Sequence, residues 1–212
     1  MSAQISHRLY LITDRSLLRN QQKLIEVIGQ ALDGGVRMVQ LREKDLSAAQ
    51  LWPLAQQLRD LTRRYNAQLL INDRIDLALA CSADGVHLGA HSIPVAVART
   101  LLGPDRIVGV STHAAAEIRL ASEAGADFVT YGPVYDTPSK RAYGPPQGIE
   151  KLRSACQNAP CPVFALGGIK PAHLTDITQS GASGIALISA ILSAEDPAKA
   201  ATQFCTRINR SN

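Results

Sequence analysis

The sequence predicts an α/β fold, a single (β/α)8 TIM barrel over residues 1–212, and three observations predict it. Short apolar, β-branched runs alternate eight times with longer helical patterns, the runs are nearly free of polar alternation, and small glycine-containing turns recur just ahead of strands. Strands that are apolar throughout are buried on both faces, as in a parallel sheet covered by helices, and eight strand–helix units suffice to close a barrel.

The first unit pairs Leu9 to Ile12 with Leu24 to Leu32, the second Val36 to Leu41 with Ala48 to Arg64, and the third Gln68 to Ile71 with Ile75 to Ala80. Next come Val86 to Leu88 with Ile93 to Leu102, Ile107 to Val110 with Ala114 to Ala124, and Phe128 to Tyr131 with Gly148 to Ala155. Val163 to Leu166 then precedes Pro171 to Gln179, and Gly184 to Ile188 precedes a last helix from about Asp196 to Ile208. Length and β-branched content mark the strands, and a 3.6-residue apolar period marks the helices. The turns read Asp33-Gly34-Gly35-Val36, Ala83-Asp84-Gly85-Val86, Gly125-Ala126-Asp127-Phe128 and Gly181-Ala182-Ser183-Gly184. Each ends a helix where positive φ is tolerated and begins the next strand. A doubly wound open sheet would use the same elements, but no Gly-x-Gly-x-x-Gly follows the first strand.

With 212 residues and 46% hydrophobic content the chain can bury a sizeable core, and 19% charged residues without a charge block exclude a solvating tail. The 22 Lys and Arg against 18 Asp and Glu give +4, but they are scattered, and 4% aromatic residues are too few for base-stacking platforms. No basic recognition helix appears, so no nucleic-acid partner is expected. Cys81, Cys156, Cys161 and Cys205 form no Cys-x-x-Cys pair, which argues against zinc. With no signal peptide at Met1-Ser2-Ala3-Gln4 and no bilayer-spanning apolar run, a cytoplasmic protein with free thiols and no membrane partner is expected.

Barrels of this kind gather chemistry at the C-terminal ends of their strands. Those ends read Thr13-Asp14, Gln40-x-Arg42-x-Lys44, Asn72-Asp73, His87-x-Gly89, Ser111-Thr112-His113, Gly132-Pro133 with Thr137-x-Ser139-Lys140, Gly167-Gly168, and Ser189. Period two puts Gln40, Arg42 and Lys44 on one side and Leu41 and Glu43 on the other, so the two cations can converge on a phosphate or pyrophosphate. A solvated strand end paired with Glu43 or Asp45 fits the same residues. Asn72 and Asp73 suit Mg²⁺ held against substrate phosphates, while Asp73 equally suits capping of the following helix. Thr137, Ser139 and Lys140 lie in the Pro133 to Gly148 connection, either a phosphate clamp on a lid or an ordinary loop. Gly167-Gly168 and Ser189-Ala190-Ile191 match the barrel's phosphate-binding corner, although a tight turn explains paired glycines too. His87, His113 and His173 lack metal-binding spacing and read as ordinary hydrogen-bonded histidines.

In order, Val39-Gln40-Leu41-Arg42-Glu43-Lys44, Ile71-Asn72-Asp73-Arg74, Gly85-Val86-His87-Leu88-Gly89, Gly109-Val110-Ser111, Gly132-Pro133-Val134-Tyr135, Gly167-Gly168-Ile169 and Ile188-Ser189-Ala190-Ile191 resemble the thiamine phosphate synthase family over essentially the whole chain. The resemblance implies a transferase acting on small phosphorylated molecules, joining hydroxymethylpyrimidine diphosphate to hydroxyethylthiazole phosphate with release of pyrophosphate. It assigns the diphosphate to Arg42, Lys44, Asn72 and Lys140, Mg²⁺ to Asp73, the pyrimidine to Gln40, and the surroundings of the reacting groups to Ser111. The thiazole phosphate falls to Gly168 and the Ile188-Ser189 corner. The family's second magnesium carboxylate falls at Ser92, where a hydroxyl reaches the ion only weakly or through water. Two relatives in function compete with this expectation. A thiazole tautomerase would have its catalytic histidine where Pro133 stands, and a catalytically silent thiazole-phosphate-binding regulator would draw its support from Ser92.

Overall fold

Side chains along a strand alternate between two faces, and in this chain the two faces feed two separate cores. The computed structural model describes residues 5–18, 23–138, 141 and 144–210. Its strands are β1 (Leu9–Ile12), β2 (Met38–Leu41), β3 (Gln68–Asn72), β4 (Gly85–Leu88), β5 (Ile107–Thr112), β6 (Phe128–Tyr131), β7 (Val163–Leu166) and β8 (Gly184–Leu187). Each pairs in parallel with its sequence neighbour, and β1 closes on β8 through Leu9 with Ile185, Tyr10 with Ala186 and Leu11 with Leu187. The barrel is therefore closed, and the open-sheet arrangement does not occur.

Inside it, Tyr10, Ile12, Met38, Leu70, Ile107, Phe128, Phe164 and Ala186 make a small inner core. Tyr10, Phe128 and Phe164 meet edge to face, with ring centroids 5.3 to 6.5 Å apart, and form a floor across the barrel. The other strand faces pack outward on the helices. These are α1 (Leu24–Asp33), α2 (Ala48–Arg64), α3 (Ile75–Ala80), α4 (Val95–Leu102), α5 (Ala115–Glu123), α6 (Gly148–Gln157), α7 (Leu174–Gln179), α8 (Ser189–Leu192) and α9 (Pro197–Arg210). Ser47 and Gln50 cap α2 reciprocally, and Asp196 Oδ1 accepts from Lys199 N at the start of α9.

Several boundaries move from those expected. β2 begins at Met38, two residues after Val36, and β5 runs on to Thr112, because Ser111 and Thr112 pair with Thr130 and Tyr131 of β6. Ile93 stays outside α4, whose cap is Pro94. The segment after β7 breaks into a 3₁₀ turn at Pro171–His173 and then α7. Ile188 leaves the strand and caps α8.

Two of the turns ahead of strands carry a part-buried ionic bracket. Asp84 Oδ2 accepts from Leu69 N at 2.7 Å and from Arg59 at 2.5 Å, and Asp127 Oδ2 accepts from Val108 N at 2.7 Å and from Arg99 at 2.5 Å. Each carboxylate thus satisfies the preceding strand's free N–H and ties a helix to the barrel's lower rim. Arg99 also donates to the carbonyls of Gly103, Arg106 and Gly125.

All four cysteines are free, and burial pushes their thiols upward, that of Cys156 to about 11. No described helix is long and apolar enough to cross a membrane. Since the Asp127 side chain is only 8% exposed, Asp127→Ala leaves the Val108 N–H without its acceptor and the Arg99 guanidinium, still bonded to backbone carbonyls, without its counter-charge. It should lower the unfolding free energy by about 2 to 3 kcal/mol, read as a reduced urea midpoint with unchanged m-value.

Candidate active site

The β1 and β2 ends are zipped together before any functional group is placed. Thr13 N donates to Gln40 O at 2.9 Å, and Thr13 Oγ1 accepts from Arg42 N at 2.8 Å. Arg15 then clasps the following turn. Its N–H donates to Glu43 Oε2 at 3.0 Å, and its guanidinium reaches Glu43 and both oxygens of Asp45, the latter at 2.6 and 2.7 Å. Arg15 holds the Asp45 carboxyl below the usual carboxylate range. Glu43 and Asp45 therefore pair with Arg15 of the neighbouring connection, and the strict two-sided alternation expected from Gln40 to Lys44 stops at Leu41, where the strand ends. Arg42, Glu43 and Lys44 all border one cavity of about 830 Å³, together with Asp14, Arg15 and Lys23.

Asn72 ends β3, and Asp73 follows with φ +64°, a left-handed conformation tolerated by aspartate at a cost on the order of 1 kcal/mol. Its N–H donates to His87 O at 2.9 Å and its side chain is exposed. The cap of α3 is Arg74, without a side-chain cap bond, so Asp73 does not cap that helix. Beyond β4, Ser92 Oγ accepts from Gly89 N at 2.8 Å and closes a turn. Among the described residues no three His, Cys, Asp or Glu side chains form a metal cluster.

At and below the mouth lie two polar pairs, the first buried and the second half-buried. Gln40 Nε2 donates to Tyr10 Oη at 2.6 Å, and His87 Nε2 lies 3.0 Å from Ser111 Oγ. Burial, aided by the charge of Arg42, pushes His87 down to about 3, and burial pushes the Tyr10 phenol far up, so both are neutral at pH 7.

Across the barrel, Val134 N donates to Leu166 O at 2.8 Å and Tyr135 N to Gly167 O at 3.1 Å, which ties the start of the 133–148 connection to the β7 end. Gly148 N donates to Val134 O at 3.0 Å and ties its finish. Gly168 has φ +63°, and a Cβ there would sit 2.9 Å from Tyr135 and against Asp136 O, so glycine is required. The Tyr135 ring stacks on His173 with centroids 3.8 Å apart, and His113 Nδ1 lies 2.5 Å from Gly132 O. Thr137 is half-buried, whereas Ser139 and Lys140 lie outside the described residues. Ile188 caps the four-residue α8 and Ser189 is exposed.

Gln40, Arg42, Lys44, Asn72, Asp73, Ser92, Ser111, Thr137, Gly168, Ile188 and Ser189 thus all lie at or just beyond the C-terminal ends of strands, around one rim. Sequence reading passed over Arg15, Tyr10 and the contact that His87 makes. For His87 a signal existed: Val86 and Leu88 face the helices, so the residue between them faces the barrel interior.

The family model for thiamine monophosphate synthase matches residues 9–191, a span that takes in every one of these strand ends. The chain belongs to the thiamine monophosphate synthase family. A relative from Geobacter sulfurreducens is 54% identical over 195 residues, 92% of this chain and 91% of its own. The thiamine-phosphate synthase of Synechocystis sp. is 44% identical over 204 residues, and the match covers 96% of this chain but 58% of that protein. The solved thiamine phosphate pyrophosphorylase from Pyrococcus furiosus gives a TM-score of 0.87 at 35% identity, with 96% of each chain covered. This thiamine monophosphate synthase family member is an enzyme of the transferase class.

Folding also has a pH signature here. In the unfolded chain His87 binds a proton near its ordinary value of 6.5, but folded it does so only at about 3. The unfolded state therefore holds the extra proton between those values, so this contribution is full above 6.5 and is lost as pH falls toward 3. Thermal unfolding measured at pH 7, 5 and 4 should show a falling midpoint, and His87→Gln should fall less steeply.

Proposed function

We propose that this chain condenses hydroxymethylpyrimidine diphosphate with hydroxyethylthiazole phosphate to give thiamine phosphate and pyrophosphate. The observation that carries this reading is the placement of Arg42 and Lys44 just beyond the β2 end, with Asn72 and Asp73 at the end of the adjacent, paired strand β3. Arg42, Lys44, Asn72 and Lys140 take the diphosphate. Gly168, Ile188 and Ser189, beyond the β7 and β8 ends, take the thiazole phosphate together with Thr137 and Ser139, and Gln40 and Ser111 hold the pyrimidine.

The carbon–oxygen bond between the pyrimidine methylene and the diphosphate breaks with both electrons leaving on pyrophosphate. Arg42, Lys44 and Lys140 stabilise the negative charge as it develops, and they act most strongly where water is excluded. The thiazole nitrogen lone pair then forms the new carbon–nitrogen bond to the pyrimidine methylene cation. No proton changes hands and no side-chain nucleophile is used, in keeping with a neutral His87 and with Pro133 at the position where a tautomerase would need a histidine.

The donor set fits a magnesium ion that arrives with its substrate, since Mg²⁺ commonly takes one or two carboxylates and completes its shell with phosphate oxygens and water. Asp73 offers an exposed carboxylate, whereas the Ser92 oxygen accepts a backbone N–H. When bound, the ion would add to the neutralisation of the leaving group.

Purified protein supplied with both substrates should release pyrophosphate and form thiamine phosphate only when Mg²⁺ is present. Binding of thiazole phosphate by calorimetry without turnover would replace this reading with that of a silent binder. Asp73→Ala should abolish metal-dependent turnover with the far-UV spectrum intact. In single-turnover assays Lys140→Ala should slow the reaction by about 10² to 10³-fold, and an unchanged rate would remove Lys140 from the leaving-group site.

A further inference from the structure

We infer that His87 is a positioning residue that makes the Ser111 hydroxyl a hydrogen-bond donor toward the barrel mouth, where it would meet an acceptor nitrogen of a substrate ring. The inference rests on the proposed function for the identity of the substrate, but its geometric content does not.

His87 enters from β4 opposite Gly109 of β5, so Ser111 stands one pleat nearer the mouth on the same inner face. The imidazole is 3% exposed and packs against the rings of both Tyr10 and Phe128, each with its centroid 5.7 Å away. A Cβ at Gly109 would fall 2.6 Å from His87 Nδ1, so the glycine leaves the space that the ring fills. Of the two ring nitrogens, Nε2 meets Ser111 Oγ at 3.0 Å, and Nδ1 is buried with no hydrogen-bond partner among the described residues.

A neutral imidazole carries a single N–H. Were it on Nδ1, a buried donor would be orphaned, and Ser111 would spend its hydroxyl hydrogen on Nε2. With the hydrogen on Nε2, only a lone pair goes unused, which is the commoner compromise in folded proteins. In that tautomer His87 donates to Ser111 Oγ and the serine keeps its own hydrogen. The half-buried Ser111 sits at the lip of the rim, so that hydrogen is available to a bound ligand.

The test has two arms. In the first, [¹⁵N]histidine-labelled wild-type protein at pH 7 is examined by long-range ¹H–¹⁵N correlation, with His87 assigned by its loss in His87→Gln. The expected pattern is a protonated Nε2 and a bare Nδ1, and a protonated Nδ1 overturns the inference whether or not the protein turns over. In the second, steady-state rates with both substrates are compared across His87→Leu, His87→Gln, Ser111→Ala and the two double variants. His87→Leu should cost about tenfold or more in kcat/KM, comparable to Ser111→Ala, and the doubles should be no worse than Ser111→Ala alone. His87→Gln, which can present an amide N–H near Nε2, should recover most of the loss. Multiplicative losses in the doubles, or full activity in His87→Leu, would overturn the inference. If His87→Leu does not fold, the His87→Gln cycle and the spectrum decide. Absence of turnover in wild type accompanied by the expected tautomer would count against the proposed reaction and leave the positioning geometry standing.

Discussion

Three register pairs between β1 and β8 turn a ribbon of strands with two unpaired edges into a barrel with none. Every other feature of the molecule leans on that closure. Without it Tyr10 would not face Phe128 and Phe164, the β1 and β2 ends would not be matched in height, and side chains from eight strands would not share a rim. The helices hold the closure from outside, and at two of the lower turns Asp84 and Asp127 hold it from beneath by joining a strand N–H to an arginine.

The barrel was legible because both faces of its strands are buried. Leu9 to Ile12, Phe128 to Tyr131 and Val163 to Leu166 are apolar or aromatic almost throughout, and this pattern has few structural solutions. Boundaries were less legible where backbone pairing overrides residue type. Ser111 and Thr112 look like loop residues, yet the ladder to β6 keeps them in a strand. The rim as a set of positions was readable from the strand ends, while its internal wiring was not. Arg15 meets Glu43 and Asp45 across 28 and 30 residues of sequence, and no local spacing encodes such a clasp. The misplaced alternation at Glu43 has the same origin, since a residue past the end of its strand follows its ion pair and not the pleat.

Two kinds of polar group share the upper barrel and obey different physics. Arg42, Lys44 and Asp73 lie where water can reach them, and their charges can meet a charged ligand without a large desolvation cost. Tyr10, Gln40 and His87 lie below, buried and neutral, where a charge would be expensive but a directed hydrogen bond is strong. Charge at the rim and direction beneath it suit a ligand with an anionic tail and a polar ring.

The aromatic floor has a consequence for traffic. Because Tyr10, Phe128 and Phe164 plug the interior, the barrel has one doorway, and whatever enters must leave the same way. The depth of that doorway is then set by three rings from β1, β6 and β7, distant in sequence and brought to one level by the closure of the barrel.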